Sequence, residues 1–170
     1  MILLRTRREG KQMANYITVS EAQAYADERL NVEAWSTAKE TDGSNWGDAG
    51  TLCVKAITMA TKAIDRLNYR GSKLVATQAN QFPRGTDTTA PDDIMRACFE
   101  IALALLDGVD PEIETENLQL TMQNYANMKA SYDRSVASPY FAAGIVSATA
   151  WRYLLPYLRD VKKVNIMRTS

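Results

Sequence analysis

Apolar residues at Cys53, Ile57, Ala60, Ile64 and Leu67 recur at alternating spacings of four and three. That period puts them on one side of an α-helix running through GTLCVKAITMATKAIDRLN, with Lys55, Lys62, Asp65 and Arg66 on the other. NYRGSK stops this helix, Gly71 being suited to a left-handed turn, and a loop full of turn formers follows through QFPRGTDTTAPDD. The next helix, DDIMRACFEIALALLDG, is apolar on almost every side from Ala97 to Leu106, and only Glu100 interrupts it. A helix apolar all round is a membrane span or the centre of a bundle, and this one is too short to span. It is therefore expected to be the central rod. Pro91 suits its first turn, Asp92 and Asp93 complement its N-terminus, and Gly108 with Pro111 close it.

The flanks are weaker. Thr18 with Glu21, or Ser20 with Gln23, makes a capping box, and Ile17 supplies a staple for a helix over SEAQAYADERL. That helix presents Ala22, Tyr25 and Ala26 on one side and ends near Asn31. STAKETDGSNWGDAG then reads as a polar connection anchored by Trp35 and Trp46. Beyond Asp110 the period changes to two, with Leu118, Leu120 and Met122 alternating against Gln119, Thr121 and Gln123. This suggests a strand or an extended arm, continuing through the polar stretch to Phe141. A last helix spans SATAWRYLLPYLRD, with Trp151, Leu154, Leu155 and Leu158 on one flank; Pro156 either kinks it or starts a new short turn.

These elements predict a mainly α fold, a small helical bundle around a central apolar helix, with an extended β-like arm and an extended C-terminal tail. The expected divisions are a basic N-terminal extension at 1–14, a helical core at 15–108, an arm at 109–144, a C-terminal helix at 145–159 and a tail at 160–170. MANYITVSEAQAY reads like a natural start at Met13, so the twelve residues before it are expected to be an upstream extension or a basic arm. The opening MILL has its charges on the wrong side for a signal peptide.

Charge sharpens the picture at the ends. Twenty basic residues balance twenty acidic ones, so no global field draws the chain to nucleic acid. Arg5, Arg7, Arg8 and Lys11 face only Glu9 at one end, and Arg159, Lys162, Lys163 and Arg168 face only Asp160 at the other. Cys53 and Cys98 lie far apart in apolar runs without ligand spacing, and predict buried thiols in a reducing cytoplasm.

The chain has no histidine, which removes Ser-His-Asp and Cys-His schemes and every His-bearing metal site. DPEIETE gathers Asp110, Glu112, Glu114 and Glu116 but lacks the glycine and ligand spacing of a calcium loop. No phosphate-binding glycine pattern is present. The expectation is no enzyme and no cofactor. For nucleic acid, Arg66, Tyr69, Arg70 and Lys73 lie close together, with Arg84 beside Phe82. Cations interleaved with aromatics can follow a phosphate backbone and stack bases; a helix C-terminus with cations over a packed aromatic gives the same pattern.

YITVSEAQAY, ATKAIDRLNYRGSK, QFPRG, PDDIMRACFEIALALL and WRYLLPYLR, in this order and spacing, resemble the head–tail connector adaptor family of tailed bacteriophages. Its members are often labelled DnaT-like single-stranded DNA-binding proteins. The resemblance implies a helical subunit forming a ring, commonly of twelve copies, beneath the portal of the capsid. Such a ring extends the channel for the genomic DNA and receives tail or neck proteins, so the implied location is the virion, after assembly in the host cytoplasm, with no membrane. The tail composition fits docking on another chain. Arg159, Val161, Lys162, Lys163, Val164, Ile166, Met167 and Arg168 are thus the expected portal-binding residues. Leu118, Leu120, Met122 and Tyr125 are the expected arm contacts to a neighbouring subunit or neck component, a self-contained hairpin being the other reading. Glu112, Glu114 and Glu116 are the candidates for a DNA-repelling channel lining. The rival function is a single-stranded DNA-binding replication accessory protein using Arg66, Tyr69, Arg70, Lys73 and Arg84.

Overall fold

The structure, a computed structural model, describes residues 14–110, 122–125, 128–131 and 139–159, with backbone alone for 122–131. The protein is a mainly helical bundle. In chain order it has α1 (Val19–Asp27), α2 (Glu33–Asp42), a 3-10 turn at Gly43–Asn45, α3 (Leu52–Asp65) and α4 (Asp92–Leu106). A hairpin of β1 (Met122–Tyr125) and β2 (Met128–Ser131), a short α5 (Pro139–Ala142), α6 (Ala148–Leu154) and a second 3-10 turn at Leu155–Tyr157 complete it.

Thr18 starts α1 through a complete capping box: its hydroxyl accepts from the Glu21 amide at 3.2 Å, and its own amide donates to Glu21 Oε2 at 2.8 Å. This satisfies two backbone donors that a helix start leaves orphaned. The expected stripe of α3 is buried in full at Cys53, Ile57, Ala60 and Ile64, and Leu67 is half-buried just past the helix end. It packs on α4, whose other side receives α6. From Ile94 to Leu103 all but Met95 and Arg96 are buried in α4, so the apolar helix is indeed the central one.

Glu100, the single polar interruption of that run, is only 3% exposed. Arg29, at the end of α1, answers it with Nε on Oε1 at 2.6 Å and Nη2 on Oε2 at 2.8 Å, and Tyr25 donates its hydroxyl to Oε1 at 3.3 Å. A charge this deep is tolerated because it is paired and hydrogen-bonded. The same guanidinium also donates to the Leu30 and Asn31 carbonyls, fixing the turn into α2.

Two expectations change here. The polar connection after Asn31 is replaced in its first half by α2, which buries Trp35 and Ala38 against the core. Trp35 lies 5.2 Å from Phe99 and 6.5 Å from Trp46, ring centre to ring centre, and one large side chain of this kind can bury on the order of 200 Å². Trp35, helped by the small Ala38, thus holds a helix whose remaining sequence is mostly polar. The second change concerns the stretch expected to stay extended as far as Phe141: Tyr140 and Phe141 belong to α5. At Pro156 the structure selects the new short turn, because α6 ends at Leu154 and the 3-10 turn begins at Leu155.

In the arm, β1 and β2 pair antiparallel with Met122 opposite Ser131 and Tyr125 opposite Met128. The alternating pattern therefore leads into a hairpin closed within the chain.

Candidate interaction surface

The face that carries the candidate basic and aromatic residues is built from the loop after α3 and the last residues after α6. Gly71, at φ 68°, turns the chain after Arg70 in a conformation that favours glycine. The loop then runs out and back, with single antiparallel bridges pairing Lys73 with Arg84 and Tyr69 with Leu158. Around the second bridge the Arg70 amide donates to the Tyr157 carbonyl at 2.9 Å, and the Arg159 amide donates to the Asn68 carbonyl at 3.0 Å. Residues 68–70 and 157–159 thus form a small ladder that roots the C-terminal tail.

Phe82 sits at the centre of the loop's interior. Its ring makes edge contacts with Tyr16 at 6.0 Å, Tyr69 at 4.7 Å and Tyr157 at 5.6 Å. Tyr16 hydrogen-bonds Asp65 Oδ1 through its hydroxyl and accepts the Gln81 and Phe82 amides at 3.0 and 3.2 Å. Burial, and then the adjacent carboxylate, push the Tyr16 phenol well above its ordinary range. Gln78 performs a similar service at the loop tip: its Oε1 accepts the Val75 amide, and its Nε2 donates to the carbonyls of Asn80 and Pro83. The product is a hydrogen-bonded loop that displays Leu74 and Val75, about half exposed, to solvent.

Four residues of the DNA-binding set, Tyr69, Arg70, Lys73 and Arg84, are brought into this region in different states, while Arg66, just past α3, lies beside Met59, Ala63 and Leu105 instead. Tyr69 is buried, its hydroxyl donating to the Ile64 carbonyl at 2.8 Å, so its ring offers no open face to a base. Burial raises its phenol, with Asp65 adding to the effect. Arg84 lies 5.8 Å over that ring and spends its guanidinium on the protein itself. It donates to the carbonyls of Arg70 at 2.9 Å, Gly71 at 2.5 Å, Gln81 at 3.3 Å and Tyr69 at 3.4 Å, and to Gln81 Oε1 at 2.9 Å. Lys73 is half-buried and donates to the Gln78 carbonyl at 3.3 Å. Only the side chains of Arg66 and Arg70 stay exposed, and the ladder sets Arg70 on the segment adjoining Arg159, also exposed. Tyr16, Tyr157 and Gln78 were not singled out by sequence reasoning for this face, and Phe82 entered it solely as the neighbour of Arg84. The Arg84–Phe82 adjacency was its only pointer to them.

Of the other candidates, Arg159 lies at the tail root. Val161, Lys162, Lys163, Val164, Ile166, Met167 and Arg168 lie outside the described residues, as do Glu112, Glu114 and Glu116. Met122 and Tyr125 are the first and last residues of β1, while Leu118 and Leu120 precede the described strand.

Among the described residues no three His, Cys, Asp or Glu side chains converge as metal ligands, and no helix is long and apolar enough to cross a membrane. Both thiols are buried, and burial pushes the Cys53 pKa up to about 11 and that of Cys98 to about 12. They are thereby held in their unreactive, protonated form.

A helical bundle with a rooted terminal tail and a braced polar–aromatic loop is what the fold defines. The chain belongs to the family described as "Putative DnaT-like ssDNA binding protein", whose model matches residues 6–169. That description speaks for single-stranded DNA binding and says nothing of a connector. No curated protein and no solved structure matches the chain.

Proposed function

We propose that this chain is a structural assembly subunit of the head-to-tail connector type and has no enzymatic role. In this reading it forms a ring under a portal, commonly of twelve copies by the resemblance. The ring extends the DNA channel and receives tail or neck proteins in the virion. The observation that supports it is the ladder between residues 68–70 and 157–159, with the Tyr157 ring locked against Phe82. A basic and apolar segment that begins from so firm a root suits insertion into a partner. The portal-facing set is Arg159 with Val161, Lys162, Lys163, Val164, Ile166, Met167 and Arg168; the β1 arm is a second contact. Truncation after Arg159 is the test. The shortened chain should keep its helical circular dichroism and thermal transition yet fail to join portal-bearing heads; full attachment would refute the assignment.

The family description favours a second reading, binding of single-stranded DNA, for which Arg66, Arg70 and Arg159 are the exposed cations. It predicts oligonucleotide affinity that falls steeply with salt. Fluorescence anisotropy with labelled oligothymidine at 50 and 200 mM salt separates the two. Tight binding that collapses with salt and is lost in R66A/R70A favours DNA, and weak, salt-insensitive binding favours the connector.

A further inference from the structure

We propose that the groove between α3 and α4 is the docking site for the acidic segment 112–116 of a second copy of this chain. The groove is lined by Met59, Ala63, Ile101, Leu105 and Val146 and holds about 150 Å³, close to the size of cavity that admits one benzene-sized group. Met59 lies open to solvent at its lip, 55% exposed. Lys62 on α3 and Arg66 just past its end also line the groove, both exposed, and neither has an acidic partner among the described residues. An apolar slot with two unanswered cations fits an aliphatic side chain flanked by carboxylates.

The chain itself carries that chemistry. In Glu112-Ile113-Glu114-Thr115-Glu116 an isoleucine stands between two carboxylates with a third close by. No Lys or Arg occurs from Ala97 to Met128, so this segment has no neighbouring cation in sequence to neutralise it. The described chain reaches Asp110, five residues beyond Leu105 of the groove, and eleven residues, 111–121, follow before β1. Groove and segment are different patches of one surface. A contact between them is heterologous, passing from each copy to the next and closing into a ring when the rotation allows. The inference rests on the connector reading in taking the second copy, rather than the same one, as the source.

Lys62 and Arg66 are exposed, so K62E/R66E should fold, as its thermal transition would verify. A peptide of residues 110–120, DPEIETENLQL, titrated onto the full chain should bind with an affinity that weakens as salt rises. On K62E/R66E that affinity should fall at least tenfold. K62E/R66E and E112K/E114K/E116K should each lose concentration-dependent association in sedimentation, and mixing the two should restore pairs. Three results would overturn the proposal: peptide affinity within twofold on K62E/R66E, self-association unchanged by either reversal, or peptide binding confined to a chain whose own three glutamates are replaced. If K62E/R66E joined portal-bearing heads in rings like the parent, this contact would fail and the connector reading would stand. If the parent chain formed no ring on the portal, the connector reading would fail and the peptide titration would still judge the groove.

Discussion

Replacing Arg29 by alanine should destabilise the bundle by about 2–3 kcal/mol. Glu100 is 3% exposed, and the substitution removes both of its charged hydrogen bonds, at 2.6 and 2.8 Å, leaving it only the Tyr25 hydroxyl at 3.3 Å. Breaking a fully buried pair from one side costs about 3–5 kcal/mol because a charge is stranded. The Arg29 side chain is 28% exposed, so water can enter the vacated space, which brings the figure to the lower end or beneath it. At roughly 2–4 °C per kcal/mol for a chain of this size, the thermal midpoint should fall by about 5–10 °C. Urea unfolding followed by tryptophan fluorescence measures the loss, since Trp35 packs beside Phe99, one residue from Glu100. The companion variant R29M/E100L removes both charges and should regain most of that loss. A loss under about 1 kcal/mol in R29A, or a double variant as unstable as the sum of its single changes, would refute the stranded-charge argument.

Arg84→Ala should cost about 1–2 kcal/mol and speed proteolysis within 70–85, because one side chain ties four carbonyls and a side-chain amide of that loop; limited trypsin digestion beside a urea melt checks it. Cys53 and Cys98 should resist Ellman's reagent at pH 8 in the native protein and react at once in 6 M guanidinium, since both are buried with raised pKa values. Stability should fall as pH rises above about 8.5, where an unfolded thiol ionises. Between there and about 12 the folded Cys98 keeps its proton while the unfolded form loses it, so ionisation favours unfolding. Urea midpoints at pH 7, 9 and 10.5 should decline in order, more shallowly in Cys98→Ala.

The legible parts of the sequence were those in which one signal dominates. Thr18 and Glu21 announced the start of α1, and the four-three spacing from Cys53 to Ile64 announced the buried face of α3. The apolar circumference of α4 placed it at the centre. Glu100 looked like a flaw in that helix, because its partner Arg29 lies 71 residues away and only the fold brings them together. α2 was hidden for a related reason: Trp35 and Ala38 are its only buried positions, too few for a helical period to show. The basic–aromatic cluster was found as a set, but its meaning was not readable. Whether Arg84 faces phosphate or carbonyls depends on how residues 69–71 curl around it, and no local spacing encodes that curl.

The ladder at the end of the bundle also has a mechanical meaning. A tug on the chain beyond Arg159 would first meet the paired backbones of 68–70 and the interlocked rings of Tyr157 and Phe82. Only after those gave way would the load reach α6, in the manner of a knot tied where a rope leaves its cleat.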